Sequence, residues 1–219
     1  MKRTALSLIA ALSIAGAVQA QNINYLIENP DNKAYLGIRA GLDISSASGS
    51  IDGAYGNGAG FTIGAIYNIP LWKNLYFEPG VHIFYNTFKE SILTEDNHIP
   101  VTEVIEINGS IRNFGFRIPL NAGYRFDFTD DISVSIFTGP VLHTNITAKG
   151  HYSGHSVSIM EKGFKRFDLQ WDFGASMSYA HNYYVSVTGA IGITRAYSFQ
   201  VDGFSYRRNT CNIAVGYNF

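Results

Sequence analysis

The chain has 219 residues, a formal net charge of −1, 22 glycines, 14 tyrosines, 15 phenylalanines and one cysteine. A nearly neutral charge provides no general attraction for nucleic acid, and a single cysteine excludes a disulfide framework. Mean hydropathy is +0.01. Beyond the N-terminal segment, no apolar run reaches the ~20 residues that a transmembrane helix needs.

The N-terminal segment has the pattern of a secretory signal peptide. Residues 1–3 begin with a basic pair, residues 5–18 are almost wholly apolar, and small residues stand at the expected cleavage positions before Gln21. The apolar run is too short for a membrane anchor. We therefore predict that residues 1–20 are cleaved and that residues 21–219 form one domain. Removing Lys2 and Arg3 takes the net charge from −1 to −3.

Apolar and polar residues alternate along the mature chain with a period of two, which predicts eight β-strands. The predicted strands are residues 36–44, 61–69, 75–86, 114–126, 132–143, 167–179, 183–194 and, within the C-terminal segment 206–219, the alternating residues from Cys211 on. In the sixth strand, Trp171 and Phe173 lie on the apolar face and Asp172 on the polar face. The last strand carries Cys211 on its apolar face and ends at Phe219. An aromatic C-terminus of this kind is typical of a lipid-facing strand in an outer-membrane barrel.

The links between predicted strands alternate in length. Tight turns at residues 70–74, 127–131 and 180–182 alternate with long links at residues 45–59, 87–112, 148–164 and 198–208. Short turns on one rim and long loops on the other are typical of outer-membrane barrels. Alternation over residues 101–107 predicts that one hairpin extends beyond the membrane. Aromatic residues also cluster near both rims, namely Tyr67, Phe77, Tyr124, Phe126, Tyr179, Tyr183, Tyr217 and Phe219 near the short turns, and Tyr85, Phe114, Phe167 and Tyr197 near the long links.

The alternative architecture is a soluble barrel of the lipocalin kind, which would turn its apolar face inward around a ligand. The polar face here is rich in glycine, serine and alanine, which suit a narrow lumen better than a wet exterior. Three prolines lie within predicted strands, where each removes a ladder hydrogen bond. We expect bulges beside Gly80 and Gly139 to accommodate Pro79 and Pro140, whereas no equivalent feature accompanies Pro119.

Three segments, YLGIRAG at residues 35–41, RIPLNAGY at residues 117–124 and IAVGYNF at residues 213–219, resemble small outer-membrane β-barrel proteins of the OmpA/OmpX type. More narrowly, they are similar to the PorT-like "outer membrane protein β-barrel domain" family of Bacteroidetes-type bacteria. The resemblance implies a closed eight-stranded antiparallel transmembrane barrel in the outer membrane of a Gram-negative bacterium. It also implies that the barrel-insertion machinery recognises the C-terminal strand ending in Phe219. Members of such families share a fold and differ in role.

Charged residues of both signs fall on the predicted inner face. An eight-stranded barrel is only wide enough for side chains to fill, so we expect acids and bases to pair across a packed lumen; a narrow polar channel is the alternative. Three arginines face four acids. The predicted lumen cluster is Arg39, Asp43, Glu78, His82, Arg117, Arg125, Asp168 and Asp172.

No catalytic, cofactor or metal site is predicted. His151 and His155 have ligand spacing only if helical, which Gly154 disfavours. Ser135 and His143 lack a nearby third group to orient them. The glycine run over residues 56–60 precedes no helix and so does not form a nucleotide site.

We expect a non-enzymatic structural, interaction or adhesion role through the extracellular loops. The expected partners are outer-membrane lipid and lipopolysaccharide, with a protein bound at the loops through an exposed strand edge, and no nucleic acid. The loop at residues 148–164 is basic and suits lipopolysaccharide; its cations and those just after it are Lys149, Lys162, Lys165 and Arg166. A small channel, an accessory barrel in protein secretion and a lipid-modifying enzyme are the alternative functions.

Overall fold

A computed structural model describes residues 33–49, 57–95, 104–152, 155–160, 164–180, 182–198 and 205–219. The predicted signal peptide lies outside these ranges, and its cleavage stays a prediction. The strands are β1 (Tyr35–Gly49), β2 (Gly58–Trp72), β3 (Leu75–Glu95), β4 (Val104–Asp127), β5 (Ile132–Tyr152), β6 (His155–Ser158), β7 (Phe167–Tyr179), β8 (Tyr183–Gly192), β9 (Tyr197–Ser198) and β10 (Ser205–Asn218). No helix within these ranges is long and apolar enough to cross a membrane.

Eight of the strands form a closed antiparallel barrel. They pair in chain order as β1, β2, β3, β4, β5, β7, β8 and β10, and β10 returns to pair with β1 from Asn218 opposite Gly37 to Tyr206 opposite Gly49. β6 and β9 are short additions to β5 and β10. The predicted closed eight-stranded antiparallel architecture is confirmed.

The apolar face of every long strand points outward. Trp171 and Phe173 are 45% and 49% exposed, and Val187 is 51% exposed. Their neighbours Asp172 and Thr188 are 3% exposed, inside the barrel. Exposing this apolar surface to water would be unfavourable. The outer face therefore fits contact with the hydrocarbon of a membrane. The soluble, inward-apolar alternative is thereby excluded.

Several strands run further than their apolar alternation predicted. β3 and β4 contain 21 and 24 residues, well beyond the roughly 9–11 that cross the hydrocarbon. Residues 87–95 pair with residues 104–112, so most of the predicted loop at 87–112 is an extended hairpin. β5 likewise continues and pairs with β6. The pairing agrees with the hairpin extension predicted from residues 101–107. The predicted loop boundaries were nevertheless wrong, because the alternation reverses beyond the lipid-facing part: apolar Phe88 and Ile111 are buried, and polar Lys89 and Arg112 are exposed.

The three strand prolines lie where ladder pairing is interrupted. Between β2 and β3 the paired residues skip from Ile66–Gly80 to Ile69–Phe77, which leaves Pro79 in the gap. The β3–β4 ladder skips Pro119 and the β4–β5 ladder skips Pro140 in the same way. The register is unchanged across each gap, so the bulges expected beside Gly80 and Gly139 are absent. Proline has no backbone N–H, and each of these prolines lies where one ladder has no pairing to that position. Pro119 is therefore accommodated in the same way as Pro79 and Pro140.

The predicted aromatic rim forms at the end that carries the short turns. Tyr217 lies 5.2 Å from both Tyr183 and Phe219, measured between ring centroids, and Tyr124 lies 4.8 Å from Phe126. At the opposite end, the ring of Phe61 stacks on that of Tyr85 at 5.8 Å; the Tyr197 side chain lies outside the described part of the chain. In outer-membrane barrels the short turns face the periplasm, and we adopt that orientation.

Candidate functional site: the barrel lumen

The middle of the lumen is organised around the carboxylate of Asp43 on β1, which is 1% exposed. Arg117 Nη1, from β4, lies 3.6 Å from Asp43 Oδ1. Asn212 Nδ2, from β10, donates to the same oxygen at 2.8 Å, and the hydroxyl of Thr62 on β2 donates to Oδ2. Because these groups come from four strands, the network ties the barrel together across its lumen.

Arg39 extends this network toward β8. Its Nη2 donates to Ser186 Oγ at 3.0 Å and to Asn212 Oδ1 at 3.1 Å. His82 is the cross-strand partner of Arg117 and is 3% exposed. Asp172, opposite, lies in the field of Arg117 and Arg39, and its Oδ1 has no direct protein partner. Buried polar atoms are nearly always hydrogen-bonded, so we expect ordered water to complete this part of the network.

A second cluster lies nearer the long-link end, around Arg208. This side chain is 0% exposed. Its Nη2 lies 3.3 Å from Asp168 Oδ2 and donates to Asn145 Oδ1 at 3.1 Å. Its guanidinium carbon also lies 5.4 Å and 5.8 Å from the ring centroids of Phe84 and Phe88. An ion pair, a hydrogen bond and two cation–π contacts therefore hold one buried cation.

Sequence reasoning missed Arg208 because residues 198–208 were assigned to a loop. The pattern that could have predicted it was present. Arg208 lies on the same inward face of β10 as the alternate residues Thr210, Asn212 and Ala214. With Arg208 included, four arginines face four acids in the lumen. The ion pair predicted for Asp168 exists with a partner that was not foreseen.

Above Arg208, toward the outer end of the lumen, lies a buried apolar cluster that we call the apolar cap. It consists of Phe88, Ile111, Ala148, Ile159, Phe164 and Ala196, with Met160 packed against them. Each of the six core members is at most 7% exposed. Backbone hydrogen bonds hold Ile159 and Lys165 against neighbouring segments. Ile159 N donates to Ala148 O at 3.0 Å, and Lys165 N donates to Ala196 O at 2.9 Å. Nothing in the alternation pattern predicted the cap.

At the short-turn end, Arg125 Nη2 donates to the Tyr35 hydroxyl at 2.7 Å. Its guanidinium carbon lies 5.6 Å and 5.7 Å from the ring centroids of Tyr35 and Tyr76. Glu78 accepts a hydrogen bond from Asn68 Nδ2 at 3.2 Å. Tyr35, Tyr76 and Glu78 border a cavity of about 20 Å³, which is room for about one water molecule.

All eight residues of the predicted lumen cluster lie on the inward-facing positions, but they form separate groups rather than one site. Ser135 and His143 stand eight positions apart on β5, about 26 Å at the usual strand rise, so they share no catalytic centre. Among the described residues, no three His, Cys, Asp or Glu side chains are grouped as metal ligands.

The chain is similar to several solved outer-membrane proteins. Neisserial surface protein A (NspA) has a TM-score of 0.48 and 15% identity, over 85% of this chain and 99% of that chain. Ail, the attachment invasion locus protein of Yersinia pestis, solved in complex with the heparin analogue sucrose octasulfate, has a TM-score of 0.41 and 16% identity, over 85% and 99%. The outer membrane protease OmpT from Escherichia coli has a TM-score of 0.38 and 11% identity, over 87% and 98%.

No curated protein matches the chain by sequence. A family profile described as "Outer membrane protein beta-barrel domain" matches residues 8–219, nearly the whole chain and all eight barrel strands. The protein therefore belongs to the outer membrane protein β-barrel domain family, and it is an integral protein of the outer membrane.

Proposed function

We propose that this protein is a non-enzymatic, non-conducting barrel that acts in structural support, interaction or adhesion through the surface it presents outside the membrane. The observation that carries the proposal is the filled lumen. The apolar cap lies toward the outer end, the Arg208–Asp168 pair lies beneath it at 0% and 1% side-chain exposure, and the Asp43 network occupies the middle.

An ion crossing this lumen would need to keep its water or exchange it for protein ligands. The apolar cap offers it no ligands, and dehydrating an ion in such surroundings costs several kcal/mol at least. The cavity at the short-turn end, of about 20 Å³, has room for about one water molecule. A packed lumen leaves the exterior as the functional surface.

The extended hairpin is the part of that exterior best suited to bind a protein. β3 pairs with β2 only as far as Asn86 opposite Gly60, whereas its pairing with β4 continues to Glu95 opposite Val104. Beyond residue 87, β3 therefore has a strand edge that no neighbouring strand of the described chain occupies. An unpaired edge recruits a partner by strand addition, and this supports an interaction or adhesion role.

Planar-bilayer recording on purified, refolded protein tests the filled lumen. We expect no steady conductance from the native chain and channel openings from a Phe88→Ala/Phe164→Ala/Arg208→Ala variant that removes the obstruction. Arg207→Ala, which alters the outward-facing neighbour, is the matched control and should remain silent. Regular conductance steps from the native chain would replace the proposal with the small-channel function.

The interaction role has its own measurement. A variant lacking residues 92–107 shortens the hairpin to a two-residue turn between the cross-strand partners Glu90 and Gly109. It should therefore fold while losing a partner captured by the native chain. Unchanged capture would locate the partner elsewhere. Altered lipid A in a strain lacking the protein would instead indicate a lipid-modifying enzyme.

A further inference from the structure

Backbone pairing in the barrel wall is interrupted along one line that crosses three neighbouring ladders. The β2–β3 ladder has no pairs at residues 67–68, the β3–β4 ladder has none at residues 80–81, and the β4–β5 ladder has none at residues 120–121. Each gap adjoins the next on the strand that they share. The five other ladders that complete the barrel pair without a skipped residue. We call this line the seam: residues 67–68, 78–81, 118–121 and 139–140.

A proline in each gap explains the lost pairs. Antiparallel partners alternate between hydrogen-bonded and non-hydrogen-bonded pairs, so a proline at a hydrogen-bonded position removes a bond that also frames the adjacent pair. Two successive pairs are then lost, which is the pattern at Pro79, Pro119 and Pro140. The carbonyls left without a ladder donor belong to the residues that face these prolines: Tyr67, Gly80 and Leu120.

The lower end of the seam lies at the short-turn rim. Tyr67 is one of the aromatic residues of that rim, and such residues mark the level where a barrel wall meets the water at the membrane surface. Across the same gap, Asn68 Nδ2 donates to Glu78 Oε2 at 3.2 Å, so a side-chain hydrogen bond is present where backbone pairs are missing. Glu78 also borders the cavity of about 20 Å³, which places room for about one water molecule beside the gap on the lumen side.

Polar atoms without a protein partner lie behind the middle and upper gaps. Asn121 belongs to the seam and is 2% exposed, and its Oδ1 has no partner. His82 Nε2 also has none, and it lies 3.1 Å from the position that a Cβ would take on Gly80. Gly80 and Gly139 add no side chains here, so the strand backbones alone separate these atoms from the outer face. Buried polar atoms are nearly always hydrogen-bonded to protein or water, so water is the missing partner.

We propose that the wall between β2 and β5 opens locally along the seam and admits water from the periplasmic membrane surface to the polar atoms behind it. A carbonyl without a donor is costly in hydrocarbon, and a buried polar side chain without a partner is costly in the lumen; entering water relieves both. Opening here breaks fewer hydrogen bonds than opening the continuously paired wall on the other side. The inference does not depend on the proposed function, because water can enter the wall of a barrel that conducts no ions.

Hydrogen–deuterium exchange of the purified, refolded barrel in phosphocholine vesicles, followed by mass spectrometry of its peptides, tests the opening. Amides at residues 78–82 and 117–121 should exchange at least about fivefold faster than those at residues 185–189 and 212–216, since each net hydrogen bond contributes a factor of about five. Pro79→Ala restores one N–H opposite Tyr67 and should slow exchange at residues 78–82 about fivefold. Pro119→Ala should do the same at residues 117–121.

Pro70→Ala is the matched control, because Pro70 lies outside the seam and keeps its partner Tyr76; it should leave exchange at the seam unchanged. Pro119 packs in the lumen, 3.1 Å from the Cβ position of Gly80, whereas Pro79 faces outward, so Pro79→Ala decides the test if Pro119→Ala does not fold. Equal exchange on the two sides of the barrel, or unchanged exchange in the folded seam variants, would overturn the proposal. Equal slowing by Pro70→Ala would overturn it as well.

Discussion

Replacing Arg208 with methionine removes the charge of the most deeply buried cation and keeps much of its volume. The carboxylate of Asp168 would then retain Asn145 Nδ2, at 3.1 Å, as its described donor. Removing one partner of a buried ion pair typically costs about 3–5 kcal/mol. Loss of the contacts with the Phe84 and Phe88 rings adds about 0.5–1 kcal/mol each when such contacts are weak. We expect Arg208→Met to reduce the free energy of unfolding by about 5 kcal/mol, which is about 4 kcal/mol for the broken pair and about 1 kcal/mol for the two ring contacts.

The assay is equilibrium urea unfolding in phosphocholine vesicles, followed by the fluorescence of Trp72 and Trp171, which are 69% and 45% exposed on the outer surface. Arg207→Met, one residue away and outward-facing, should change stability by no more than about 0.5 kcal/mol. The double variant Arg208→Met/Asp168→Asn should lose less than the sum of its single variants, by about 1–3 kcal/mol. A loss under 1 kcal/mol for Arg208→Met, or strict additivity, would refute the assignment of a coupled buried pair.

Four further outcomes are expected. Val187→Arg places a charge in the lipid-facing surface and should cost about 2–4 kcal/mol near the bilayer midplane, measured by the same unfolding assay. Gly216→Val would bring a Cβ to 2.2 Å from the Tyr184 ring and should cost about 1–3 kcal/mol through overpacking. Cys211, exposed on the outer face, should resist a charged maleimide in vesicles and react after unfolding in urea. Phe219→Ala should slow assembly by the barrel-insertion machinery and leave spontaneous folding in detergent unchanged.

Matched variants separate these effects from general damage. Gly189→Ala also crowds an aromatic ring, that of Phe173 at 2.7 Å, but this ring can turn into the lipid, so a smaller loss than for Gly216→Val is expected. Phe128→Ala removes an equally exposed aromatic, at 69%, from a short turn and should not slow assembly. Normal stability of Val187→Arg, or rapid labelling of Cys211 in vesicles, would contradict the lipid-facing assignment of β8 and β10.

The features that sequence reasoning missed have a common cause. Period-two alternation reports burial on one face, so it identified the strands only where lipid covers one side. It was lost at Arg208, beyond the lipid-facing part of the strand. Along residues 87–112 it predicted the hairpin extension but placed the strand ends too early, because there the apolar residues face inward. The prolines were misjudged for a different reason: whether Pro119 removes a needed hydrogen bond depends on which partner residues pair, and that is set by three neighbouring strands together.

The amino-acid sequence by itself determined the number of barrel strands, their order and the face that each turns to the lipid, because hydrocarbon and a crowded lumen impose opposite chemistries on alternate residues. Only the tertiary structure decided which inward groups meet and which apolar residues gather above Arg208. Partners such as Arg208 and Asp168 are 40 residues apart in the chain, and the closure and stagger of the barrel bring them to the same height. Spacing along one strand carries no information about that stagger, so the pairing inside the barrel emerges only when all eight strands are in register.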